Sequence, residues 1–121
     1  MKFIGSKTEQ DFRNQLINSH KALFQERENQ RLLNVMRSYF PDMKTAYIIG
    51  WTPEQSEDIY VIFIDAKVIA VIELDRYNVS TQSVVEIISL EQYMRKLSRI
   101  GQIQLAVAID LSQKDLSFKL T

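Results

Sequence analysis

The rhythm of apolar and polar positions changes several times along this chain, and each change marks an element. The plainest signal is Asp58–Asp75, D-I-Y-V-I-F-I-D-A-K-V-I-A-V-I-E-L-D, where two aliphatic and aromatic runs flank Asp65-Ala66-Lys67. Runs this rich in Val, Ile, Tyr and Phe predict strands buried on both faces, and the polar break has the length of a hairpin turn. Upstream, Lys44 to Trp51 alternates as a strand, with Tyr47, Ile49 and Trp51 on one face and Ala46, Ile48 and Gly50 on the other. Downstream, Ser83 to Ile88 reads as a short strand. Gln102 to Leu111 alternates almost without fault, Ile103, Leu105, Val107, Ile109 and Leu111 against Gln102, Gln104, Ala106, Ala108 and Asp110, and predicts a last strand. Leu116, Phe118 and Leu120, spaced by two, predict an edge strand or an arm.

The remaining segments carry the helical period. Ser6-Lys7-Thr8-Glu9 fits a capping box, and Phe12, Leu16, Ile17, His20, Leu23 and Phe24 follow at helical spacing. The polar run Gln25 to Gln30 predicts a bend. Leu32, Leu33, Met36, Tyr39 and Phe40 then form a second apolar stripe, stopped by Pro41. Ser89-Leu90-Glu91-Gln92 is another capping box; it opens a helix through Leu90, Tyr93, Met94, Leu97 and Ile100, with Gly101 at the left-handed closing position. The order predicts a single α+β domain over 1–121: two N-terminal helices, or one bent helix, then a mainly antiparallel mixed sheet of about five strands with one further helix before the last strand. Ser83–Leu111 reads as a right-handed strand–helix–strand crossover, which makes the sheet mixed.

Composition narrows the function. Fifteen basic and fifteen acidic residues cancel, whereas a nucleic-acid binder ordinarily carries a basic excess to neutralise phosphates. Arg95, Lys96 and Arg99 form one basic stripe, in a place where cations would also complement a helix C-terminus. The absence of cysteine excludes disulfides, thiolate chemistry and sulfur-ligated zinc. His20 is the single histidine, so histidine-based zinc sites and Cys–His catalysis fail, and His20 is expected to pack between helices. Three glycines leave no Walker loop and no dinucleotide fingerprint, so no cofactor is expected. The first residues lack the apolar core of a signal peptide and no stretch is long enough to span a membrane; a cytoplasmic protein without a membrane partner is expected.

Carboxylates are the one material for catalysis. Glu73 and Asp75 share strand parity, and the Asp65–Lys67 turn is expected to bring Asp58 beside them across the ladder, with Glu86 on the next strand; such a cluster would suit magnesium. In its order of elements, Ser6 to Leu111 is similar to the core of the PD-(D/E)xK nucleases, which place an Asp on one strand and an acid-x-Lys on the next. That resemblance implies divalent-metal-dependent or degenerate nuclease chemistry with Asp58, Glu73 and Asp75 as the metal ligands. The chain departs from the pattern at Glu73-Leu74-Asp75, where an acid stands in place of the lysine, and Arg76 has the opposite parity to Glu73.

The aromatic residues point elsewhere. Tyr47, Trp51, Tyr60 and Tyr77 could line a sheet face, and Tyr and Trp are preferred interface anchors. Tyr47 and Tyr60 are expected under the N-terminal helices, and Trp51, beside the polar Thr52–Glu57 loop, half exposed. The expected function is therefore non-enzymatic: a protein–protein interaction domain of the immunity or toxin-inhibitor type, binding a toxin or basic enzyme through Trp51, Glu54, Glu57 and Asp58. Self-association through an edge strand or the Leu116–Leu120 arm is the further partner expected.

Overall fold

The computed structural model of the chain describes residues 7–25, 29–78, 80 and 82–120. Two helices, α1 (Lys7–Phe24) and α2 (Gln30–Tyr39), precede four strands, β1 (Ala46–Pro53), β2 (Glu57–Ile64), β3 (Val68–Asp75) and β4 (Val84–Ser89). A short helix α3 (Leu90–Met94) and a long one, α4 (Arg99–Leu120), close the described chain. The strands form one antiparallel meander in the order β1-β2-β3-β4.

The α+β class and the Asp58–Asp75 hairpin are as the sequence predicts, with the two apolar runs as the inner strands of the sheet. Both faces of these strands are covered. On one, Ile62, Ile64, Ala70, Ile72 and Leu74 pack with Leu32 and Met36 of α2 and Leu23 of α1. On the other, Phe63 and Ile69 join Tyr47 and Ile49 of β1, Leu105, Val107 and Ala108 of α4, and Leu16 of α1. Helix α1 contributes to both clusters because it lies along β1.

The hairpin turn is closed by the Lys67 amide donating to the Ile64 carbonyl at 3.0 Å, with Asp65 and Ala66 at φ of 51° and 57°. Two central residues with positive φ match the right-handed twist of the flanking strands. Asp65 also holds the chain that enters β1, since its Oδ1 accepts from the Lys44 and Thr45 amides, each at 2.9 Å.

Several details differ from expectation. The sheet has four strands instead of about five, and it is wholly antiparallel, so there is no parallel crossover. Gln102–Leu111 is helical, within α4, and so is Leu116–Leu120, which is neither edge strand nor arm. The buried positions Leu105, Ala108 and Ser112 recur at helical spacing, as do Ile103 and Val107. Because α4 is flanked by the sheet and by α1, its buried face is broad, and a broad face imitates alternation. The intervening Gln and Ala residues are good helix formers. Gly101 lies inside the first turn of α4 and closes nothing. Arg99 accordingly opens a helix instead of completing one, and Arg95 pairs with Glu91 at 2.9 Å.

The second capping box is present as predicted: the Ser89 hydroxyl accepts from the Gln92 amide at 3.1 Å, and the Gln92 side chain returns to the Ser89 amide. The first depends on Ser6, which lies outside the described residues. No helix among the described residues is long and apolar enough to cross a membrane.

Candidate functional site

The β1–β2 connection and the end of β3 build one exposed cluster. Strand β1 runs through Pro53 and β2 starts at Glu57, so the expected Thr52–Glu57 loop shrinks to Glu54–Ser56, closed by the Glu54 amide on the Glu57 carbonyl at 2.7 Å. Opposite Ile62 and Val61, β1 places Ile48 and Gly50, so Ile49 is the extra residue of a bulge. A bulge reverses the facing of everything beyond it. Tyr47 and Ile49 face α4, but Trp51 pairs with Tyr60 on the opposite face, beside Ile48; the expectation that Tyr47, Ile49 and Trp51 share a face is corrected here. Gly50 suits the bulge, because a Cβ there would stand 3.3 Å from the Val61 side chain.

Arg76 organises the cluster. Its Nη2 donates to Asp58 Oδ1 at 2.9 Å, to the Glu54 carbonyl at 2.9 Å and to the Glu57 carbonyl at 3.3 Å. Its amide donates to the Ser56 carbonyl at 2.8 Å. The Trp51 indole N–H donates to Asp58 Oδ1 at 3.2 Å, which fixes the ring while leaving Trp51 59% exposed. Tyr77, 75% exposed, lies with its ring centre 5.9 Å from the Arg76 guanidinium, within cation–π range. Asp75 Oδ1 accepts from the Tyr77 and Asn78 amides at 2.9 and 2.8 Å and shapes the turn that presents Tyr77. Helix α2 secures that turn from below, through Arg31 donating to the Asp75 carbonyl.

Of the four residues predicted to bind a partner, Trp51 and Glu54 are exposed and Glu57 is half exposed. Asp58 is at the same place but serves the fold, bound to Arg76 and Trp51. Arg76 as the organiser was not foreseen; its one sequence signal is that the hairpin must return it to the start of β2. The acids expected to cluster are divided. In the register, Asp58 stands opposite Leu74, while Glu73 stands opposite Ile59 and Asp75 opposite Glu57, so Asp58 lies on the other face of the sheet from Glu73 and Asp75. Among the described residues no group of three acids or histidines is placed to hold a metal ion. With Gln102–Leu111 helical, the nuclease-like order of elements also loses its last strand.

The cluster sets a pH dependence. Hydrogen bonding from Arg76 holds the Asp58 carboxyl below the usual carboxylate range, and the Asn78 and Tyr77 amides do the same for Asp75. A carboxyl lowered in the folded state stabilises the fold above its unfolded value of about 3.9, and that contribution is lost as pH falls through the lowered value. Unfolding midpoints in urea should therefore drop below about pH 4. Arg76→Ala should be less stable at pH 7 and lose less on acidification, the two curves drawing together as pH falls through the lowered Asp58 value. Parallel curves would show that the Asp58–Arg76 pair carries none of it.

A second polar cluster sits at the other end of β1. The Thr45 hydroxyl donates to Asp115 Oδ2 of α4 at 2.7 Å, and the Tyr47 hydroxyl donates to the same oxygen. Burial, reinforced by Asp115, pushes the Tyr47 phenol above its ordinary range, so it remains a donor. His20 packs between Phe24 and Tyr47, ring centres 4.7 and 5.1 Å away, with Nδ1 3.2 Å from the Ala46 carbonyl oxygen. It is a packing residue between α1 and β1, close to its expected role. No family model, no curated protein and no solved structure matches this chain.

Proposed function

We propose that this domain acts by binding another protein through the face formed by Trp51, Arg76, Tyr77 and the Glu54–Glu57 turn. The observation that carries the reading is that two aromatic side chains are held out to solvent by a hydrogen-bonded scaffold. Trp51 is fixed through its indole N–H, and Arg76 is fixed by two carbonyls and a carboxylate. Trp, Tyr and Arg are the residues that dominate binding energy at interfaces, and anchors already ordered before contact lose little entropy on binding. Glu54 and Glu57 rim the face with negative charge and favour a partner with a basic surface, such as a toxin or enzyme neutralised by occlusion of its site. Asp58 supports the face and makes no contact of its own, because Arg76 already neutralises it.

Photo-crosslinking from position 77 in native extract, followed by titration of the captured protein, tests the reading. Trp51→Ala should weaken that complex about thirtyfold or more, the loss typical of a central aromatic anchor, while leaving the circular dichroism spectrum unchanged. A captured protein that binds wild type and Trp51→Ala equally well would dismiss it. The products of the genes adjoining its own are the first partners to titrate for the inhibitor role.

A further inference from the structure

Between α1 and the β1–β2 pair runs an open groove of about 450 Å³. Trp51 and Tyr60, directly paired across the two strands, supply its aromatic surface with Ile48 beside them. Gln15, Asn18 and Asn29 line it from the helical side, and none of its lining residues, among those described, is charged. The wall is firmly attached: Ser19 donates to the Leu16 carbonyl at 2.7 Å and accepts from the Ile48 amide at 3.1 Å, tying α1 to β1.

Several polar groups of this groove are unused. Among the described residues, the side chains of Gln15 and Asn18 and the Tyr60 hydroxyl have no hydrogen-bond partner, and Asn29 stands at the start of α2 without capping it. Burial, with the negative charge of Asp58 second, pushes the Tyr60 phenol upward, so its hydroxyl is a donor at neutral pH. Trp51 offers only its ring face, because its N–H is occupied by Asp58. With no charge in the described lining, such a groove suits a neutral ligand that presents carbonyl acceptors to the amide N–H and Tyr60 O–H donors and has flat apolar surfaces to stack on Trp51 and Tyr60.

We propose that the groove binds an uncharged, proline-containing segment of a partner protein in the polyproline II conformation. Proline has no N–H to leave unsatisfied, its ring stacks on aromatic faces, and the polyproline II backbone turns its carbonyls outward with its ordering entropy already largely lost. The lengths agree. Gln15 to Ala22 spans about 10 Å along α1, which is roughly three residues of polyproline II. A neutral saccharide of the same size, whose hydroxyls would donate to the amide oxygens of Gln15 and Asn18, is the competing ligand that the titration compares.

The inference rests on the Trp51 face being a binding surface and specifies what that surface takes. Trp51 is the single tryptophan, so its fluorescence reports occupancy directly. Titrating the intact protein with a capped peptide of Ala-Pro-Pro repeats should give a saturable change in emission, in the micromolar to low-millimolar range. In NMR titrations the Gln15 and Asn18 side-chain amides should shift, and Asn18→Ala should bind about fivefold more weakly or worse at an unchanged melting temperature. A capped Gly-Ser peptide of equal length, a tetra-lysine peptide and a neutral oligosaccharide serve as comparisons. No saturable response to the proline peptide, or equal or tighter binding of any comparison ligand, overturns the inference. If the proline peptide fails while Trp51→Ala still abolishes capture of the natural partner, the specificity is wrong and the interface stands. If both fail, the interface falls with it.

Discussion

Asp115→Ala should lower the stability of this domain by about 3 kcal/mol, the loss of two hydrogen bonds to a charged acceptor. Thr45 is 0% exposed and Tyr47 3%, and both donate their hydroxyls to the same carboxylate oxygen. With alanine at 115 the two hydroxyls remain buried, and the half of α4 that carries Asp115 loses its polar tie to β1. The melting temperature should fall by roughly 10 °C, and urea unfolding should give the free energy directly. Asp115→Asn, which retains an acceptor oxygen, should cost less than half as much. Tyr47→Phe combined with Asp115→Ala should be far from additive, since each removes the same bond. A loss under about 1 kcal/mol in Asp115→Ala would mean that water replaces the carboxylate without penalty.

Phe63→Ala should cost still more, about 3–5 kcal/mol, in line with truncating a large aromatic side chain in a core. Phe63 is fully buried on β2, paired with Tyr47 on one side and Ile69 on the other, and packed under Leu105 and Val107 of α4. These neighbours come from three separate elements, so they cannot collapse together into the space left behind. Against a total stability of roughly 5–15 kcal/mol for a domain of this kind, such a loss brings unfolding within reach of growth temperature. Phe63→Leu, which leaves a smaller void, should retain most of the stability. Equal costs for the two substitutions would show that the site relaxes freely and that the close packing between β2 and α4 is unimportant.

Both substitutions probe the contact between α4 and the sheet, where the residue pattern and the fold diverge most. The apolar runs around Asp65-Ala66-Lys67 can only be neighbouring strands, because a turn of that length between two such runs leaves no room for a crossover. The α1 and α2 stripes are legible because each helix has a polar side to contrast with its apolar one. Helix α4 lacks that contrast: Ile103, Leu105, Val107 and Ala108 are all buried, and a helix covered on two sides shows no narrow stripe to count. The alternation of its residue types is real, but the burial that follows is helical.

For the candidate site the division is similar. Trp51 and Glu54 were marked by an exposed aromatic and a polar proline-containing turn, both local features. The position of Asp58 was not local. Whether it joined Glu73 and Asp75 or turned away from them depended on a register in which a slip of one residue reverses the face. The bulge at Ile49 decided in the same way that Trp51 would meet Tyr60 and the groove beside α1.

By itself, then, the order of residues determined the central hairpin, the N-terminal helices, the Ser89 cap and the neutral, cysteine-free character of the surface and core. Each of these follows from neighbours within a few positions along the chain, whose spacing and local hydrogen bonding act before any long-range contact forms. The helical state of α4, the facing of Trp51 and the engagement of Asp58 by Arg76 were settled only by the folded whole. They depend on which surfaces lie opposite, and burial against a distant element outweighs the small differences in local preference between strand and helix.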